Sequence, residues 1–126
     1  MKILLVDDSR TMRNIQKKAL EALGAAEFFE AGDGIEALTV IASNPAGFDF
    51  IMVDWNMPNM DGITLVRKFR ETNKTTPLIM ATTEAEKTRV LEALKAGVNN
   101  YVIKPFTPEM LVEKVKQTLE KLKAAA

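Results

Sequence analysis

Four short apolar runs, each ending on a polar side chain, restrict this chain more than any other feature. Phe50-Ile51-Met52-Val53 runs into Asp54, Ile3-Leu4-Leu5-Val6 into Asp7-Asp8, Leu78-Ile79-Met80-Ala81 into Thr82-Thr83, and Tyr101-Val102-Ile103 into Lys104-Pro105. A continuous apolar run of this length reads as a strand buried on both faces. In an open parallel α/β sheet the carboxyl ends of the strands share one edge, and ligands bind there. A charged group is seldom buried without a partner, and here the partners arrive in the same context. The pattern points to one site of three carboxylates, a hydroxyl and a lysine: Asp7, Asp8, Asp54, Thr82 and Lys104.

The segments between the runs carry helix signals. Ser9 is placed to cap a helix through Leu23, with Met12, Ile15, Ala19, Leu20 and Leu23 on one face and Gly24 as its stop. Glu27 to Glu30 reads as a short strand. Asp33-Gly34-Ile35-Glu36 has capping-box spacing and opens a helix lined by Ile35, Leu38, Ile41 and Ala42, which Asn44-Pro45-Ala46-Gly47 breaks. After Asp54, Pro58 and Gly62 bracket a loop, and Ile63, Val66 and Phe69 keep helical spacing until Thr75-Thr76-Pro77. Thr83-Glu84-Ala85-Glu86 predicts a capped helix over Ala85 to Ala96, with Val90, Leu91 and Leu94 as its apolar face and Gly97 as its stop. Thr107-Pro108 caps and starts a last helix to Lys123, lined by Leu111, Val115, Leu119 and Leu122, with Ala124-Ala125-Ala126 expected to fray. Strand and helix alternate five times through short connections, which implies a parallel sheet covered by helices on both faces. At 126 residues the whole chain, 1–126, reads as one domain.

Several function classes fall away on composition. Without cysteine there is no disulfide, thiol nucleophile or thiolate metal site, which suits a reducing compartment, the cytoplasm. Without histidine there is no histidine triad and no imidazole metal site. Seventeen Lys and Arg balance seventeen Asp and Glu, so no net field favours nucleic acid or an acidic membrane. The apolar start is too short for a signal peptide, and no run could span a bilayer.

Asp7, Asp8 and Asp54 held together repel one another, so either a pKa rises or a cation enters. All-oxygen ligands suit a hard divalent ion, and Mg2+ commonly keeps waters and takes a phosphate oxygen. Lys104 is a point charge suited to a phosphate oxygen, and Thr82 offers a hydroxyl donor. A carboxylate can attack phosphorus and form an acyl phosphate. The spacing favours Asp54 as that nucleophile, with the adjacent pair Asp7 and Asp8 for metal, without forcing the assignment. Taken singly, each residue has a plainer reading. Asp7 and Asp8 could be helix caps, Asp54 an Asx-turn, and Thr82 or Thr83 an N-cap, with Thr83 the better fit. Lys104 could be a solvated lysine, Tyr101 an ordinary strand aromatic, and Trp55 a surface aromatic. These readings leave unexplained why the polar ends fall on one sheet edge.

Val6-Asp7-Asp8-Ser9, Val53-Asp54 through Met60-Asp61-Gly62, Ala81-Thr82-Thr83-Glu84 and Tyr101-Val102-Ile103-Lys104-Pro105-Phe106 together resemble the receiver domain of two-component response regulators, and within it the chemotaxis receivers. The resemblance spans essentially the whole chain. It implies a flavodoxin-like (βα)5 three-layer sandwich with strand order 2-1-3-4-5. It implies Asp54 as phosphoacceptor, a Mg2+ site of Asp7, Asp8, Asp54 and the Asn56 carbonyl, and Lys104 and Thr82 as phosphoryl contacts. By the same resemblance Thr82 and Tyr101 form a switch pair, Asn56 and Glu84 tune dephosphorylation, and the Lys104-Pro105 peptide is cis. Phosphoryl oxygens would draw the Thr82 hydroxyl inward, Tyr101 would rotate toward the vacated space, and the surface around the last two helices and the fifth strand would change.

The implied function is a stand-alone, phosphorylation-dependent response regulator that transforms no metabolite. Lacking histidine, it depends on a separate histidine kinase for its phosphoryl group. With no DNA-binding segment after Lys123, its output is expected to be direct contact with a partner, the flagellar motor switch protein, by a cytoplasmic monomer. A phosphate sink or an adaptor in another pathway is the nearest alternative. A Mg2+-dependent aspartyl-phosphate phosphatase or phosphotransferase of the haloacid-dehalogenase type would need Asp-x-Asp after the first strand, where this chain has adjacent aspartates and no cap domain. A flavodoxin would need a hydroxyl-rich phosphate loop there, where this chain has Asp-Asp-Ser-Arg-Thr.

Overall fold

The computed structural model describes residues 1–24 and 26–125. Strands β1 (Lys2–Val6), β2 (Glu27–Ala31), β3 (Phe50–Val53), β4 (Leu78–Thr82) and β5 (Asn100–Ile103) alternate with helices α1 (Arg10–Leu20), α2 (Gly34–Ala42), α3 (Gly62–Thr72), α4 (Lys87–Ala96) and α5 (Pro108–Ala125). The strands form one parallel sheet in the order β2-β1-β3-β4-β5. This is the doubly wound, flavodoxin-like order that the resemblance implies. β1 and β3 are neighbours although the chain visits β2 between them, so the winding reverses there and a crevice opens at their carboxyl ends.

Side chains alternate across the strands, which splits the core in two. Ile3, Leu5, Phe50, Met52, Ile79, Ala81 and Val102 pack against Ala19 and Leu20 of α1 and Leu111 and Val115 of α5. Leu4, Val6, Ile51, Val53 and Met80 face the other way, against Ala37 of α2, Leu65, Val66 and Phe69 of α3, and Ala93 of α4. β3 and β4 are buried at every position, as their uninterrupted apolar runs require. Truncating Phe50 or another of these fully buried side chains to alanine costs about 2–5 kcal/mol.

The helix starts follow the cap signals with one exception. Ser9 Oγ accepts the Met12 N–H, Asp33 Oδ1 the Glu36 N–H, and Thr107 Oγ1 the Met110 N–H. Asp61, not singled out from the sequence, caps α3 through the Thr64 N–H. α4, however, begins at Lys87 rather than Ala85, and Glu86 precedes it without a side-chain cap. Glu84 explains the shift. Its N–H donates to Thr82 Oγ1, and its carbonyl accepts the Tyr101 hydroxyl. With both peptide groups held by the sheet, residues 83–86 stay out of the helix, and Thr83 is an exposed residue rather than a cap.

Several faces also differ from expectation. Ile15, Ile35, Leu91 and Leu94 are exposed, as is Ala42. In α1 the inward row is Gln16, Ala19 and Leu20, and in α2 it is Gly34 and Ala37. In α4 the small residue Ala93 lies against the sheet with Val90 and Ala96 beside it, which turns Leu91 and Leu94 outward. α1 ends at Leu20 and tightens into a 3-10 turn over Glu21–Leu23 before Gly24 at φ 108°. α5 continues to Ala125, so most of the tail expected to fray is helical; Ala126 lies outside the described residues.

Candidate functional site

Backbone register builds the site. Val6 pairs with Val53, and Thr82 with Ile103. Just past these pairs the Asp54 N–H donates to the Val6 carbonyl (2.9 Å), the Asp7 N–H to the Ala31 carbonyl (3.0 Å) and the Lys104 N–H to the Thr82 carbonyl (2.8 Å). Asp7, Asp54 and Lys104 therefore leave the sheet already tied to its edge. The loop after Asp54 is drawn in tightly. The Gly62 N–H donates to the Trp55 carbonyl, and a Cβ on Gly62 would lie 1.9 Å from the Asp54 carbonyl oxygen. Only glycine allows α3 to start that close to the end of β3.

Asp7, Asp8 and Asp54 each bring a carboxylate oxygen to within 4.8 Å of one another. Asp7 is 1% exposed and Asp54 8%, while Asp8 opens to solvent. The Lys104 ammonium lies between the two buried carboxylates, 2.6 Å from Asp7 Oδ2 and 3.0 Å from Asp54 Oδ2. Burial holds the Asp7 carboxyl above its ordinary value against the opposing hydrogen bonds from Lys104 and the Ser9 N–H. Burial alone would lower Lys104; its bonds to Asp7 and Asp54 overturn that and leave it above the ordinary lysine value. The lysine is thus a fixed positive charge, not a solvated one.

The helix-cap reading of Asp7 and Asp8 does not hold, because Ser9 takes that place and Asp7 Oδ1 instead accepts the Ser9 N–H. Asp54 Oδ1 does accept a local N–H, that of Trp55 at 2.6 Å, while Oδ2 remains with Lys104. Trp55 is buried rather than a surface aromatic.

Around this centre, Thr82 is fully buried, with its Oγ1 3.4 Å from the Glu84 nitrogen. Tyr101 is buried too, and its hydroxyl donates to the Glu84 carbonyl at 2.6 Å. Desolvation, with the charges of Glu84 and Asp54 behind it, pushes the phenol up to about 12. The Tyr101 ring is inward in this structure. Asn56 is exposed at the rim, and its side-chain amide donates to Glu84 Oε2 at 3.1 Å. The Lys104-Pro105 peptide is cis, as the resemblance implies.

Two residues at the site were not singled out from the sequence. Arg13 donates from Nη1 to the Asp7 carbonyl and from Nε to Glu30 Oε1. Arg89 lies over the Trp55 ring and beside Glu84. Arg13 carried no signal beyond membership of α1. Arg89 follows Glu84 by five residues, a spacing about 140° apart on a continuous helix. It meets Glu84 only because residues 83–86 stay out of α4.

With this geometry in place, comparison with known proteins is decisive. Residues 3–116 match the family description "Response regulator receiver domain". The chain belongs to that family. Chemotaxis protein CheY1 of Helicobacter pylori strain J99 is 50% identical over 121 residues, which cover 94% of this chain and 97% of that protein. Chemotaxis protein CheY of Pseudomonas aeruginosa is 48% identical over 124 residues, covering 97% and 98%. Among solved structures, a CheY-like response regulator receiver domain protein from Methanospirillum hungatei JF-1 superposes with a TM-score of 0.87 at 30% identity, covering 99% of this chain and 98% of that one. The chain is a CheY-like receiver of two-component signalling. No helix among its described residues is long and apolar enough to cross a membrane.

The donor set fits the Mg2+ that receivers hold in their acidic pocket. It is all oxygen, two of its carboxylates are buried, and the third is open toward water, as a partly hydrated ion needs.

Proposed function

We propose that this receiver accepts a phosphoryl group on Asp54 from a separate histidine kinase, with Mg2+, and thereby changes its affinity for an output partner, the flagellar motor switch protein. One observation carries the reading: a nearly buried Asp54 carboxylate held 3.0 Å from the Lys104 ammonium and clustered with Asp7 and Asp8. In the transfer, an Asp54 oxygen bonds to phosphorus and the bond from phosphorus to the kinase's imidazole nitrogen breaks, leaving the electron pair on that nitrogen. Asp7, Asp8, Asp54 and the Asn56 carbonyl would hold Mg2+, which when bound supplies positive charge to the phosphoryl oxygens. Lys104 follows the developing negative charge, and the Thr82 hydroxyl donates to a phosphoryl oxygen. Hydrolysis then restores the Asp54 carboxylate. The chain catalyses only these two steps on itself.

Output follows from Thr82 and Tyr101. Once Thr82 turns to the phosphoryl group, Tyr101 is favoured in its inward position, bonded to Glu84. That position fixes the residues leading into α4. Leu91, Leu94, Ile103 and Met110 are exposed apolar side chains on α4, β5 and α5, a suitable surface for a cytoplasmic protein partner. The chemotaxis names of the relatives support a role in chemotaxis.

The test is to incubate the chain with Mg2+ and a small acyl-phosphate donor and to locate the phosphate by mass spectrometry. Phosphate on Asp54, and none in Asp54→Asn or in excess chelator, is the expected result. Phosphate on another residue would refute the acceptor assignment. Turnover of phosphomonoesters would instead favour the phosphatase. Binding to the purified motor switch protein, with and without an acyl-phosphate mimic on Asp54, tests the output.

A further inference from the structure

Resting on that acceptor reading, we propose that Arg89 is a positioning residue that holds a Glu84–Asn56 bridge over the mouth of the acceptor pocket and so lengthens the life of the aspartyl phosphate. The geometry has Glu84 at its centre. Oε2 of its carboxylate accepts the Asn56 side-chain amide at 3.1 Å, which ties the loop after β4 to the loop after β3. Oε1 lies 3.6 Å from Arg89 Nε. The Arg89 guanidinium is itself seated 5.0 Å from the centre of the buried Trp55 ring, next to Asp54 in the chain, and its Nη1 lies 3.7 Å from Glu92 Oε1. A guanidinium over an indole is attracted by the ring and keeps its fork free for carboxylates. Arg89 thus spans from α4 to the acceptor loop and fixes the Glu84 side chain between them.

The consequence for chemistry follows from where the bridge lies. Asp54 is nearly buried, whereas Asn56 is exposed and Glu84 half-buried, so the bridge narrows one approach of water to a phosphoryl group on Asp54, the other being the open side at Asp8. Hydrolysis adds one water to phosphorus, breaks the phosphorus–oxygen bond to Asp54, and returns the carboxylate and dihydrogen phosphate, with both water protons on the phosphate. The Arg89 charge also offsets that of Glu84 beside an incoming dianion. Without Arg89 the Glu84 carboxylate is free to swing from Asn56, the mouth opens, and water enters more often.

The test uses the full chain phosphorylated with acetyl phosphate and Mg2+, followed by removal of the donor and measurement of phosphate release. Arg89→Gln is expected to lose phosphate about two- to tenfold faster, the range that one part-exposed cation–π contact and ion pair can support. Arg89→Lys, which keeps the charge, should recover part of the lifetime. Glu84→Gln should shorten it as well, and the double variant should be no faster than the faster single one, because both act through one contact. Trp55 is the only tryptophan, so its emission reports the loss of the guanidinium directly: it should change in Arg89→Gln before any phosphate is added. A wild-type lifetime in Arg89→Gln, or additive effects of the two single variants, overturns the proposal while leaving the acceptor reading intact. A wild-type chain that takes up no phosphate removes both.

Discussion

Lys104→Met exposes most directly what the site does to the protein that carries it. Among the described residues, Lys104 is the one cation paired with either buried carboxylate. Its side chain is 9% exposed, and those of Asp7 and Asp54 are 1% and 10% exposed. Removing one partner of a buried pair costs about 3–5 kcal/mol, because a charge is left without compensation. The solvent opening at Asp8 relieves part of this, so about 2–4 kcal/mol is expected here. Methionine keeps the length and apolar stem, so lost packing contributes little. The same substitution frees Asp7 Oδ2, which the ammonium now holds, and a divalent ion no longer has to displace it. Mg2+ should therefore bind the variant more tightly than the wild type and restore its stability. An ion present at about thirtyfold above its Kd contributes about 2 kcal/mol. Urea unfolding at pH 7, followed by Trp55 emission in chelator and then across a Mg2+ titration, measures both effects. A variant as stable as the wild type in chelator, or one with unchanged Mg2+ affinity, would show that the ammonium is not the counter-charge of this site.

Three further outcomes are expected. Gly62→Ala should cost more than about 1 kcal/mol and impair phosphorylation of Asp54, since its Cβ would meet backbone at 1.9 Å that cannot move without shifting the acceptor; urea unfolding and phosphate uptake check it, and wild-type behaviour in both would show that α3 can retreat freely. Tyr101 is the only tyrosine, so its phenolate absorption should rise with a midpoint near 12, the raised value, rather than near 10. The folded chain then keeps a proton that the unfolded chain loses, so the contribution to stability is whole below 10 and disappears as pH rises through about 12; a midpoint near 10 would place the ring in water. Thr82→Ala should accept phosphate on Asp54 and yet lose most of the phosphorylation-dependent gain in partner affinity, as should Tyr101→Ala; binding assays in which both keep the full gain would remove this pair as the switch.

The parts of this molecule that could be read in the sequence share a physical cause. β1, β3 and β4 are covered on both faces, so their apolar runs stand out, and backbone register then dictates where the next residue goes. Asp7, Asp54, Thr82 and Lys104 follow directly, because each sits at or just beyond a paired strand end. The helix caps at Ser9, Asp33 and Thr107 were legible for a similar reason: they act within three residues of themselves. Face assignments failed at Ile15, Ile35, Leu91 and Leu94, where hydrophobicity marked a residue but small neighbours such as Ala37 and Ala93 took the closest approach to the sheet.

The segment from Thr83 to Arg89 shows why the rest was hidden. Its residues satisfy a capping box, and on local preference alone a helix could start there. What prevents it is the Tyr101 hydroxyl, 17 residues away, on the carbonyl of Glu84. That bond keeps Glu84 out of the helix, turns its carboxylate to Asn56, 28 residues before it, and brings it within reach of Arg89. The departure from local preference thus falls where the proposed switch tyrosine, the rim of the acceptor pocket and the first turn of α4 meet. A helix started at Ala85 would satisfy the Glu84 carbonyl within itself and leave the Tyr101 hydroxyl without this acceptor. A substitution that strengthens an early helix start, such as Thr83→Asp with its better N-cap, therefore sets the local preference of this segment directly against the inward position of the ring.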